Sequence, residues 1–498
     1  MANKLLSTFQ DFSLGLNDKV AANILNDMEL AESQNCFVGR GIIDKRYGYL
    51  PYSTLSATNL YEFFKSDYTS EFLAVSGTSL YKDNGSGTFS SVTMTNALTT
   101  STVKMITYND RSMNDVVLIA DGGELKIYNG TEVKEVVPHT PTTDELTDPG
   151  TNDLANLTNF KTFVIHGERI YACAHPTNKN RINFCHIDPN LGYGVYDYFP
   201  ATHFFDVAVD DNDEIIQLKV FRDAVIVFCK RSVWALYGNG RTLNDYTLEK
   251  INVPTGCIAP NSIVEVGNTI FYLSETHIYS LTSTDQSYIS AEVVSERIEN
   301  TLKGISLTDK TQSVATFFKD KYYLSFPNGT TVVFDNLIAN WTVFTNIQAK
   351  SFLNRSGVLY FAGSKVYKFD ENTWSDDGVP IVTRIKFKNM DLGYPVQKKK
   401  IRKLWVVAKQ YETLSSDYQI KAIVDYFEVD ITDISTDESL VWDEGEWDNA
   451  NWDFKEVIMN KLRIRKSGTN FQLLIINDSL DQPFTFYGFA LQFKLKKP

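Results

Sequence analysis

The chain has 498 residues, 43% hydrophobic and 22% charged, enough apolar material for two to four domains, or fewer if one is a large all-β unit. A net charge of −13 and a pI near 5.1 exclude a protein that wraps nucleic acid by neutralising phosphates, though like charge would let nucleic acid slide past without sticking. No run approaches 18 consecutive apolar residues, which excludes a membrane-spanning apolar helix.

Five scattered cysteines, Cys36, Cys173, Cys185, Cys229 and Cys257, form no disulfide framework and point to assembly in a reducing compartment. The opening MANKLLSTFQDFSLGL has no long apolar stretch or small-residue cleavage pattern, so no signal peptide is expected. With 26 Tyr and 32 Phe against 7 Met, the composition leans to β structure.

Taken in chain order, residues 1–55 begin extended, with a short helix expected near 27–36 and then a turn and strand ending on Gly48 and Tyr49. From 56 to 375 one pattern recurs: an apolar run, a tight turn, then a second run bearing an aromatic. It reads FLAVSGTSLYKDNG from 72, VVLIADGGELKIYNG from 116 and TFVIHGERIYACAH from 162. Further copies start at 223, 268, 321 and 357. The mean step of about 48 residues, with turn chemistry such as SG, DGG and PNG inside each unit, is the signature of β-propeller blades, six or seven in number. The continuous apolar first runs suit an inner strand covered on both faces. The long step after 162 contains an inserted loop, and ISAEVVSERIENTLKGI (289–305) has the spacing of a helix between two blades, stopped at Gly304.

From 376 to 498 six alternating segments, among them KIRKLWVVAKQ and TFYGFALQFKLK, predict a C-terminal β-sandwich. The fold class is therefore all-β: an N-terminal docking segment, a β-propeller and a β-sandwich.

Two clusters stand out in this last part. Lys398, Lys399, Lys400, Arg402 and Lys403 form the strongest basic run, which suits either a contact with DNA or an acidic neighbour, or lysines guarding a sheet edge. Trp442, Trp447 and Trp452 recur every fifth residue among acids. A step of five alternates faces on a strand and turns by about 140° on a helix, so the rings share no flat platform for sugars. A clasp against the sandwich or a neighbouring subunit fits better, since each ring buries much area at little entropic cost.

Catalytic signatures are weak. His166, His175 and His186 lie near Cys173 and Cys185; Cys173 and His175, two apart, are expected to share a strand face, but adjacent Cys185 and His186 point to opposite faces, so zinc is disfavoured against ordinary packing. No GxSxG and no GxxxxGK[ST] occurs. The 61 acids always supply carboxylate pairs, so pairs alone carry no weight, and the acids of 437–453 lack the EF-hand order. No enzyme activity, metal or cofactor is expected.

Three stretches carry a resemblance. The first is Gly15-Leu16-Asn17, Glu29, Gln34-Asn35 and Arg46-Tyr47-Gly48-Tyr49. The second is IIQLKVFRDAVIVFCKRSVWALYG followed by GCIAPNSIVEVGNTIFYLSETHIYSL, and the third is the tryptophan run. Together these resemble the tail hub or nozzle proteins of short-tailed phages, the packaged-DNA stabilisation family, loosely over residues 12–370, with Leu14 standing where a second glycine is expected. The resemblance implies a structural virion protein of the tail, assembled in the host cytoplasm. It implies a homo-oligomeric ring of six copies below the portal and connector. Its partners would be connector or adaptor proteins, distal tail or fibre proteins, and DNA passing without sequence-specific binding. It implies docking through Gly15, Leu16, Asn17, Arg46 and Tyr49. A tail-tip protein that recognises the host surface is the alternative, and a glycan-degrading propeller enzyme is the third.

Overall fold

The computed structural model describes the chain except residues 1–3, 155–158, 239–245, 286–287, 412–413, 435–456 and 497–498, and the side chains of 284–288 and 430–434. The described chain is nearly all β.

Six small sheets stand in a ring, and a seventh four-stranded unit within that ring is one limb of a ten-stranded sheet. Blade 1 runs Asn59–Phe64, Ser70–Ser76, Ser79–Asp83 and Phe89–Ser91. Blade 2 begins at Lys104–Asn109, blade 3 at Thr162–His166, blade 4 at Ile215–Phe221 and blade 5 at Val264–Val266. The limb, Val314–Phe318 to Asn340–Phe344, is blade 6, and blade 7 begins at Ser351–Arg355. Each gap between neighbours holds its own apolar core, including the gap between blades 7 and 1, where Leu60, Phe72 and Ala74 meet Ala362 and Val366. The ring is closed.

The apolar runs of the repeat are mostly not inner strands, as their continuity suggested. FLAV, VVLI, VIVF and IFYL lie in second strands, paired at both edges and covered by blades on both faces, and Ala224–Cys229 is buried throughout. First strands have one edge at the axis and mix buried with half-exposed residues. The TFVIH run at 162 is a first strand, so that copy is one strand out of phase and the uneven steps around it follow. The inserted loop is there: residues 185–203 separate Arg181–Phe184 from Phe204–Asp206.

The sandwich packs two sheets over one core. Sheet one carries Thr485–Leu495, Lys399–Lys409 and Val457–Arg463, and sheet two Thr383–Phe387, Phe471–Asn477, Tyr418–Val424 and Phe427–Ile434. Leu404, Val406, Phe486 and Leu491 from one meet Ile385, Ile420, Leu473 and Ile475 from the other.

The N-terminal segment is woven into both bodies. Leu5–Phe9 pairs with Thr485–Leu495, and Ile43–Lys45 pairs with the same strand. The helix expected near 27–36 is a strand, Glu29–Gln34, pairing with Thr383–Phe387 on one side and touching Val343 of blade 6 on the other. Its apolar residues are needed by a sheet neighbour distant in sequence, which local spacing cannot register. Gly48–Ser53 is the fourth strand of blade 7. The stretch 289–305 is a helix only at its end. Tyr288–Val293 completes blade 5, and a short 3-10 turn and Glu299–Lys303 follow, closing on Gly304.

Candidate functional site: the weld between propeller and sandwich

The side chains of the first resemblance motif converge where the two bodies join. Asn35, fully buried with φ 54°, organises the weld. Its Oδ1 accepts from Arg46 Nε (2.9 Å) and the Thr345 amide (2.9 Å). Its Nδ2 donates to Thr345 Oγ1 and to the Val382 carbonyl, both at 2.8 Å. One side chain thus ties blade 6 to the first strand of the sandwich.

Arg46 and Asp376 are each about 1% exposed and form a two-pronged ion pair, at 2.9 and 2.5 Å, while Arg46 also donates to the Thr345 carbonyl. A guanidinium fork matches a carboxylate in this way, and the remaining donors must be satisfied when both charges leave water. Burial pushes the Asp376 carboxyl up, and Arg46 pulls it back. Lys45, next in chain, is lowered to about 8, chiefly by burial, and its ammonium donates to Asn477 Oδ1 at 2.7 Å.

A second anchor sits between blades 5 and 6. Gly15 has φ +66°, and a Cβ there would lie 2.8 Å from Asn340 Cβ, so only glycine fits the approach. That turn delivers Leu16 into the core with Phe271, Leu324 and Trp341. Asn17 donates to Glu29. Asp18 then accepts from the amides of Asn300 (3.0 Å) and Thr301 (2.7 Å), capping the short helix. Trp341 donates its indole N–H to the Val294 carbonyl at 2.8 Å.

The residues expected to dock, Gly15, Leu16, Asn17, Arg46 and Tyr49, thus make these contacts within their own chain, Tyr49 through its hydroxyl on the Asn346 carbonyl. Asp376, Asp18 and Trp341 were not singled out from sequence. Their partners lie 282 to 330 residues away or across a blade gap, and no spacing signals that.

The second motif is also structural. Gly256 packs where a Cβ would stand 2.1 Å from the Cys229 carbonyl oxygen, and Ser262 Oγ accepts from the Leu273 amide.

The basic run divides. Lys399 points inward and its ammonium donates to the Tyr394 and Thr469 carbonyls. Lys398, Lys400 and Arg402 are exposed and Lys403 is half-buried. Their strand is not a sheet edge, as the guarding role required: it lies between Thr485–Leu495 and Val457–Arg463. The run with Trp442, Trp447 and Trp452 falls outside the described residues.

All five cysteines are buried and free. Burial lifts the thiols of Cys36, Cys185, Cys229 and Cys257 to about 12, far from a thiolate at neutral pH. The strand carrying Cys173 ends there, because Ala174 turns to φ +64°, and His175 instead accepts from the Thr177 amide.

No family model matches the chain, and no curated protein matches it. Solved structures do. Virginiamycin B lyase from Staphylococcus aureus matches at 10% identity over 65% of this chain and 98% of its own, with a TM-score of 0.41. The extracellular domain of BT4673 from B. thetaiotaomicron matches at 11% over 87% of this chain and 62% of its own, with a TM-score of 0.43. The designed Ika8 protein matches at 12% over 64% and 99%, with a TM-score of 0.36. At such identities the likeness is one of fold alone.

Proposed function

We propose that the chain is a structural protein of a phage tail, a hub or nozzle subunit. It would assemble as a ring of six below the portal and connector and retain and release packaged DNA. The observation that carries this reading is the weld. The stretch that most resembles the tail family, from Gly15 to Tyr49, is spent on fusing propeller and sandwich through Asn35, Arg46 and Asp376. Such a seam, with Leu16 as a second anchor, suits a subunit that must transmit load without shearing.

Charge adds support. Six copies at −13 each carry a formal −78, and a negative tube lets DNA pass without trapping it.

Native mass measurement of the purified full chain, and of tail subassemblies, tests the proposal. A closed ring is expected. A monomer at all concentrations, together with glycan binding lost on Trp447→Ala, would move the protein to host-surface recognition.

A further inference from the structure

The outer face of the sandwich's first sheet is built almost wholly of one charge. The strands Leu5–Phe9, Lys399–Lys409, Val457–Arg463 and Thr485–Leu495 turn seven lysines and arginines outward and no aspartate or glutamate, in a chain with 61 acids; Asp44, on the adjoining strand Ile43–Lys45, lies near Lys409 at one end. Register sets the outward residues in rows. One row is Leu6, Gln492, Lys403, Arg463; the next is Thr8, Ala490, Trp405, Lys461; a third pairs Lys494 with Lys400. Like charges therefore stand directly opposite one another in two cross-strand pairs, which costs the sheet stability in isolation. None of Lys400, Lys403, Lys461, Arg463 or Lys494 forms an ion pair with a carboxylate among the described residues. An anion laid across the rows would relieve the repulsion.

The anion belongs to protein rather than nucleic acid. Leu6 is 60% exposed, Met459 63% and Val457 48%, interleaved with the cations and with Trp405. Apolar and aromatic side chains among charges are the composition of a protein interface, whereas a phosphate backbone offers them nothing. With the seven outward cations set aside, the net charge of −13 leaves −20 on the rest of the chain, so another copy is a complementary partner. Two such faces would repel each other, so the contact joins unlike patches, the arrangement that closes rings.

We infer that this face is a subunit interface that receives the acidic run 435–456 of a second copy, an inference that rests on the proposed ring. That run holds eight carboxylates against Lys455 alone, with three tryptophans to meet the exposed apolar residues. It enters the edge strand at Val457, beside the face of its own copy. Its 22 residues can span roughly 70 Å when extended, ample to reach a neighbour.

Sedimentation of the full chain across a salt series tests this. One variant reverses the face (Lys403→Glu, Lys461→Glu, Arg463→Glu) and a second reverses the run (Glu444→Lys, Glu446→Lys, Asp448→Lys). Each alone should weaken self-association at least tenfold, and an equimolar mixture should restore it by pairing reversed face with reversed run. Circular dichroism, and the milder Lys403→Gln, Lys461→Gln, Arg463→Gln variant, separate lost contact from lost fold. Wild type assembling while the face variant assembles equally well overturns the inference and leaves the ring standing. A wild type that never assembles overturns both. Failure of mixing to rescue, or loss of duplex DNA binding with assembly intact, overturns the interface alone.

Discussion

Arg46 and Asp376 show what a buried charge demands of its surroundings. Removing one partner strands the other in the interior, so Asp376→Ala should cost roughly 3–5 kcal/mol, read as a lower urea midpoint. The double variant Arg46→Met with Asp376→Leu should recover much of that loss, because no orphan charge remains. His203 offers a pH handle. Burial is the largest cause holding its imidazole at about 4, and the nearby Arg169 guanidinium is the second. The unfolded chain therefore binds a proton between about pH 6.5 and 4 that the folded chain refuses, and stability falls as pH drops through that window. His203→Gln should flatten that part of a denaturation-midpoint profile. Gly256→Ala would set a methyl 2.1 Å from a backbone oxygen and should cost roughly 1–3 kcal/mol by the same measurement.

At the scale of elements, the first 53 residues supply a strand to blade 7 and strands to both sheets of the sandwich. A chain truncated to start at 54 should fail to give a cooperative thermal transition, and a co-expressed 1–53 fragment should restore it. How elements read from sequence divides along the same line. The repeat was legible because each blade is a run of hairpins whose turns and apolar runs are neighbours in the chain. The phase slip at 162 was not, since TFVIH and FLAV are both short β-favouring apolar runs and differ in the structure in which edge meets the axis. Glu29–Gln34 misled for a related reason: the strands that flank it in the large sheet, Asn340–Phe344 and Thr383–Phe387, lie more than 300 residues on. Of the weld, the glycine, Asn35 and Arg46 could be noticed as a phrase, while Asp376 carried no local mark.

At the scale of the whole molecule, propeller and sandwich share a ten-stranded sheet, so they should unfold together. A single calorimetric transition is expected, and two separable ones would mean that the weld is weaker than its buried contacts imply. The pairing of Leu5 with Phe493 has one more consequence. During synthesis Leu5–Phe9 has no partner strand until Thr485–Leu495 has been made. That strand can take its place in the sandwich only after every blade of the propeller has been translated, and until then it is open to chaperones.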